Sequence, residues 1–336
     1  MKTYAVINQK GGVGKTTTVA NLGAAMASRG IRTCLIDFDP QAHLTLHLGV
    51  EPESLPVSAY EVLADGADLG SAVTQVARNL WLVPSVIDLA AAEIELVSKV
   101  GREQILRESM AAADMPFELV MIDCPPSLGL LTLNALAAAD AVLIPLQPHF
   151  LALHGLGKLL ETVSLVQQRV NPSLRVAGVV FCMYETGTRL AAEVAADLEQ
   201  FLDSARGSRA PWADARIFTQ RVRRNIKLAE CPSHGKTIFD YDPASIGAED
   251  YRALAEEFLA EAFPSRQPAL GSYVPQCPPE ADPQQATVHQ PQARQADPPH
   301  EPAWQAVSPS GALPDAPGTD DNVQPRIGAV GAQEQP

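Results

Sequence analysis

Ten residues near the start of the chain, Gln9-Lys10-Gly11-Gly12-Val13-Gly14-Lys15-Thr16-Thr17-Thr18, combine the parts needed to hold a polyphosphate. Glycines let backbone N–H groups converge on phosphate oxygens, Lys15 can reach the β and γ phosphates, and the Thr16 hydroxyl can ligate Mg²⁺. A helix beginning near Thr16 adds the positive end of its dipole. The run departs from the usual G-x-x-x-x-G-K-[ST] pattern, because Gln9 stands where the first glycine belongs and Lys10 adds a second cation at the mouth of the loop. Lys10 sits where it can project away from its own phosphates, toward those held by a second copy. A nucleotide-sandwich dimer is therefore expected, with Lys10 neutralising charge on the transferred phosphoryl group across the interface.

Two aspartates add to this loop. One apolar run ends in Asp37-Phe38-Asp39-Pro40-Gln41, another in Ile122-Asp123-Cys124-Pro125-Pro126. Asp123, closing a strand beside a phosphate loop, fits a carboxylate that holds Mg²⁺ directly or through water, and Asp39 would position the attacking water or the metal. Either one alone reads equally as a turn or cap residue. The expected metal set is Thr16, Asp39 and Asp123, and the expected catalytic set Lys10, Lys15 and Asp39. His47, His154 and His234 have no ligand spacing, and no metal beyond Mg²⁺ is implied.

The elements that must carry these residues follow from periodicity. Runs at 4–8, 32–37, 80–84, 119–123, 141–145 and 176–183 are nearly all apolar, as strands covered on both faces should be. Amphipathic spacing at 16–28, 89–112, 152–170, 190–202 and 248–263 predicts helices between them. The alternation predicts an α/β fold, a mostly parallel twisted sheet with helices on both faces, whose ligands bind at the carboxyl ends of the strands.

Composition sets the outer limits. The 336 residues are 46% hydrophobic and 19% charged, which suits a globular domain, and the formal net charge of -14 confines any nucleic-acid contact to a local patch. One such patch stands out: Arg216, Arg221, Arg223, Arg224 and Lys227 fall within twelve residues that contain no acidic side chain. Five scattered cysteines with no C-x-x-C pair suggest a reducing, cytoplasmic setting. The apolar start is too short for the core of a signal peptide, and no run approaches the length of a spanning helix. Beyond residue 263, Pro, Gln, Ala and Gly dominate, and roughly half of the 28 prolines lie there. The expected organisation is an ATPase domain at 1–263 and a disordered Pro/Gln-rich tail at 264–336.

Taken together, these motifs resemble the ParA/Soj family of chromosome and plasmid partition ATPases, within the MinD/ParA class of P-loop proteins with a deviant Walker A loop. The resemblance covers essentially all of 1–263. The family's loop matches Lys10, Gly11, Gly12, Val13, Gly14, Lys15, Thr16 and Thr17, with Lys10 as its signature lysine. Its first switch matches Asp37 to Gln41, which implies that Asp39 is needed for hydrolysis. Its second matches Asp123-Cys124-Pro125-Pro126-Ser127 and the following 128–136. The segment 224–236 resembles a DNA-binding stretch of Soj. The chain departs from the family at Ala42 and His43, where Gly and Asn are common, and at His149, where a glutamate is usual. It departs again at Gly187, which takes the place of a DNA-contacting arginine, with Arg189 two residues on.

The resemblance implies Mg²⁺-ATP as cofactor, a homodimer formed on ATP binding, nonspecific binding of double-stranded DNA, a ParB-like activating partner and a nucleoid-associated location. The DNA-binding candidates are Arg189, Arg221, Arg223, Arg224 and Lys227. Three other readings share the loop. A MinD-like membrane ATPase would end in a basic amphipathic helix, against the acidic tail here. An iron–sulfur reductase component would need a cysteine pair that Cys124 alone does not supply. An orphan ParA-like positioner of another cargo is not separated by sequence.

Overall fold

The sheet is built on runs with no polar face. The strands Lys2–Val6 (β1), Thr33–Asp37 (β2), Leu119–Asp123 (β5) and Ala141–Leu146 (β6) are buried almost throughout. Alternate residues of one strand feed opposite cores: Ala5, Val120 and Ile122 face one side, while Tyr4, Val6, Leu119 and Met121 face the other. Thr74–Ala77 (β3), Leu80–Val83 (β4), Arg175–Phe181 (β7) and Arg216–Ile217 (β8) complete an eight-stranded sheet in the order β3-β4-β2-β5-β1-β6-β7-β8. Every pairing is parallel except β3 with β4. The mostly parallel sheet expected from the sequence is the one found.

The protein is represented by a computed structural model that describes residues 1–149 and 152–266, all within one compact unit, Met1–Val274. The expected tail at 264–336 lies, from residue 267 on, outside the described residues. On one face of the sheet the helices Lys15–Ser28 and Ile246–Ala262 bury Val19, Leu22, Tyr251 and Phe258. The other face is covered by helices that include Leu130–Ala138, Ala152–Arg169 and Arg189–Ala205, through Leu131, Leu156 and Leu198.

One expected helix is broken. The stretch 89–112 forms a helix at Leu89–Glu95, a short 3₁₀ turn at Leu96–Ser98 and a second helix at Ile105–Ala112. Gly101, at φ 74°, lies in the non-helical link, while Leu96 and Leu106 are anchored in the core on either side of it. Two strands, β3 and β8, carried no apolar run in the sequence. Both are short edge strands, and their half-exposed residues give no buried pattern to read.

Candidate functional site

β1 ends at Val6, and the chain passes through Asn8 to Gly14 into the helix Lys15–Ser28. Gly12 and Gly14 take φ of 69° and 92°, the left-handed region that a side chain disfavours, so the loop can turn its amides inward. Nothing lies within 4 Å of where a side chain would begin at Gly11 or Gly12. That open space admits a ligand to the backbone. Gly14, by contrast, backs onto Cys182 at the end of β7.

The loop's two lysines diverge. Lys15 is only 7% exposed, and its Nζ donates to the carbonyl of Lys10 at 3.3 Å. Burial lowers the pKa of its ammonium, while Asp123 and Asp39 pull it back up. Lys10 is exposed, and its Nζ lies 2.6 Å from Nε2 of His149 in the loop after β6.

Parallel register sets Asp37 of β2 beside Asp123 of β5, and Asp123 beside Val6 of β1, so both carboxylates close strands next to the phosphate loop. Asp37 is satisfied: Thr45 donates to it through its backbone N–H at 2.8 Å and its hydroxyl at 2.7 Å, and the Asp39 N–H donates at 3.2 Å. Burial nevertheless raises its pKa to about 7. Asp39 accepts from the Gln41 N–H at 3.0 Å, and its carbonyl accepts from Ser85 at 2.7 Å. Asp123 is different. It is fully buried, and neither carboxylate oxygen makes a well-formed hydrogen bond, although the Thr16 hydroxyl and the Lys15 ammonium lie near enough to favour its charge. Burial, then the neighbouring Asp37, push its carboxyl well above the usual range.

A buried carboxylate without a well-formed hydrogen bond is costly unless a cation faces it. The residues here therefore fit Mg²⁺, with Thr16 and Asp123 as protein ligands and nucleotide phosphates supplying further oxygens. Among the described residues no cluster of three or more His, Cys, Asp or Glu is placed to chelate a metal by itself, which suits an ion brought in with its nucleotide.

A cavity of about 750 Å³ opens over the loop, a volume suited to a nucleotide. Gly11, Gly12, Gly14, Lys15, Thr16, Thr17 and Asp39 form its phosphate end. Its far wall comes from Met183 and from 222–229, a stretch the sequence reading had assigned to DNA alone. Arg223 and Arg224 are part of that wall, and Gln41 and His43 also line the cavity. The signal for this wall was weak, because no spacing rule links 222–229 to a loop two hundred residues earlier.

The basic candidates fall into two groups. The Arg223 guanidinium donates to Asp250, which is fully buried, and to Glu249 at 2.9 Å, while the Arg223 N–H donates to Asp250 at 2.8 Å. Arg221 lies over the Tyr184 ring and donates to its hydroxyl at 2.5 Å. Arg189, Arg224 and Lys227 reach outward. The Arg189 side chain is 92% exposed and pairs with Glu193, Arg224 approaches Glu185 only at 3.7 Å, and Lys227 donates to Glu230 at 2.9 Å.

Comparison with known proteins agrees with this geometry. Residues 1–176 match the model of an AAA domain family. Over 260 residues the chain is 43% identical to the sporulation initiation inhibitor protein Soj of Bacillus subtilis, covering 77% of this chain and 98% of that protein. It is 42% identical over 260 residues to the chromosome-partitioning ATPase Soj of Treponema pallidum, covering 77% and 97%. Among solved structures it is similar to cobyrinic acid a,c-diamide synthase of Mycobacterium smegmatis with bound ADP and magnesium, at 38% identity and a TM-score of 0.66, covering 79% of this chain and 97% of that one. The cell division ATPase MinD of Pyrococcus furiosus shares the fold, at 24% identity and a TM-score of 0.60, covering 76% and 98%.

Proposed function

The chain belongs to the ParA/Soj family and is an ATPase; on that premise we propose that it is an ATP-driven switch for chromosome or plasmid partition. Mg²⁺-ATP fills the cavity, two copies pair through their nucleotides, and the pair binds duplex DNA without sequence preference. A ParB-like partner stimulates hydrolysis and releases it, so the protein works on the nucleoid in the cytoplasm.

The observation that carries this reading is the divergence of two lysines from one loop. Lys15 is buried beside Asp123 and Asp39, where it can serve its own phosphates. Lys10 is exposed at the loop's mouth, where a second copy's phosphates can reach it. Thr16 and Asp123 would hold Mg²⁺, which supplies charge neutralisation between the phosphates. Asp39 would orient the attacking water, and Lys10 would stabilise charge on the transferred group in trans, as arginine fingers do elsewhere. No helix among the described residues is long and apolar enough to cross a membrane.

The test is a set of three variants. Lys15→Ala is expected to remove ATP binding. Asp39→Ala should bind ATP and remain a dimer by light scattering. Lys10→Ala should lose stimulated hydrolysis by about 10³-fold or more, the range of other trans-acting cations. A monomeric Asp39→Ala in ATP, or one that hydrolyses normally, would overturn the scheme.

A further inference from the structure

We propose that His149 is the positioning residue that decides where Lys10 points: the neutral imidazole holds the Lys10 ammonium against its own subunit and releases it when the ring takes a proton. The inference rests on the trans role proposed for Lys10 above.

The contact is short, Nζ to Nε2 at 2.6 Å, and an ammonium has only donors. Nε2 must therefore be the acceptor, which places the ring proton on Nδ1 and requires the ring to be neutral. The backbone on both sides is tied down. The Lys10 N–H donates to Asn8 Oδ1 at 3.0 Å, the Lys10 carbonyl accepts from Lys15, and the Asn8 amide donates to the Pro145 carbonyl at 2.7 Å. With loop and strand end joined in this way, the freedom left to Lys10 is that of its side chain. Holding or releasing the ammonium therefore decides whether it can meet another copy's phosphates.

The surroundings of the ring keep the hold conditional. The phosphate loop presents the Lys10 ammonium to the ring, and the first turn of the helix Ala152–Arg169 carries no acidic residue. Partial burial and the Lys10 charge both favour the neutral ring, so His149 holds Lys10 at pH 7 and above. Both effects move protonation below the ordinary histidine range near about 6.5; once protonated, the ring can no longer accept and repels the ammonium.

The test reads Lys10 directly. Nucleotide-free protein is labelled with acetic anhydride, and acetylation of Lys10 is followed by mass spectrometry relative to the exposed Lys158. At pH 8, His149→Ala is expected to raise the relative rate about two- to fivefold, the range an exposed ionic contact supports. His149→Gln, whose amide oxygen accepts at any pH, should stay near the wild type. Lowering the pH stepwise from 8 to below the ordinary histidine pKa, as far as about 5, should raise the ratio in the wild type and leave it flat in His149→Gln. Equal labelling of wild type and His149→Ala at pH 8 would overturn the proposal, as would a wild-type ratio that ignores pH. ATP-driven dimerisation of the same proteins separates the two readings. Labelling as described with no dimer in any variant supports the hold on Lys10 and overturns its role in trans.

Discussion

Asp123 is the residue whose environment says most about what the site is for. A carboxylate at the centre of a parallel sheet, with no well-formed hydrogen bond on either oxygen and a second aspartate opposite, destabilises the empty protein when ionised. The consequence is a pH dependence of definite sign. An acid whose folded pKa is raised keeps its proton when folded and loses it when unfolded. Its contribution to stability is complete below the unfolded pKa near 4 and disappears as pH rises through the folded value, about 7 for Asp37 and well raised for Asp123. These two carboxyls should therefore cost the nucleotide-free protein stability as pH rises from 5 to 8, opposed up to about pH 6.5 by His47, whose pKa burial pushes down to about 4. Mg²⁺ with nucleotide should offset the loss. Asp123→Asn should flatten the profile and raise the melting temperature at pH 8, while cutting Mg²⁺-dependent nucleotide affinity at least about tenfold. Thermal melts across the pH series check this, and an Asp123→Asn profile parallel to that of the wild type would refute it.

At the scale of elements, what the sequence made legible was whatever carries a local signature. Strands buried on both faces show as unbroken apolar runs, and the phosphate loop shows as glycines and lysine between a strand and a helix. β3 and β8 escaped because edge strands bury too little to leave a pattern, and the break at 96–104 escaped because Leu96 and Leu106 keep helical-looking spacing across it. The contact between Lys10 and His149 joins positions 139 residues apart and leaves no local trace at all. The first switch shows a finer case. Ala42 stands out in the sequence only as a departure from glycine, and the backbone supplies the reason: it has φ 52° at the start of the helix His43–His47, inside a turn closed by its own N–H on the Asp39 carbonyl. An alanine there pays a left-handed penalty that glycine avoids, partly offset by glycine's greater freedom when unfolded. Ala42→Gly is expected to stabilise the protein by about 1 kcal/mol, a rise of roughly 2–4 °C in Tm for a domain of this size. Calorimetry decides it, and a lower Tm would mean that the turn is not strained.

For the whole molecule the question is how a chain of net charge -14 can bind a polyanion. Local density must overcome the overall field, and the arginine-rich stretch near 220 was visible in the sequence for that reason. What was not visible was which of its charges are already committed. Asp250, buried and distant in sequence, holds Arg223 through its side chain and backbone, and Tyr184 engages Arg221. Removing the Arg223 guanidinium would leave buried Asp250 with no cation and only the residue-223 N–H and the Gln220 amide as donors, so Arg223→Ala should act through stability and the cavity wall rather than through phosphate contacts. Arg224 and Arg189 pair with exposed acidic side chains, and Lys227 pairs with Glu230 and lies 5.7 Å from the centre of the Tyr241 ring; such pairs contribute little and exchange readily for phosphates. Each phosphate neutralised adds about 0.9 to the slope of log K against log salt, and pairing of two copies doubles the number of contacts. With ATP present, the double variant Arg189→Ala/Lys227→Ala, at two positions whose side chains do not line the cavity, should weaken binding to any duplex and lower the salt slope by roughly 2 to 4, with dimerisation intact. Arg223→Ala should leave the slope unchanged while lowering Tm. A salt series measured by fluorescence anisotropy separates the two, and an unaltered slope in the double variant would place the DNA-binding face elsewhere on the molecule.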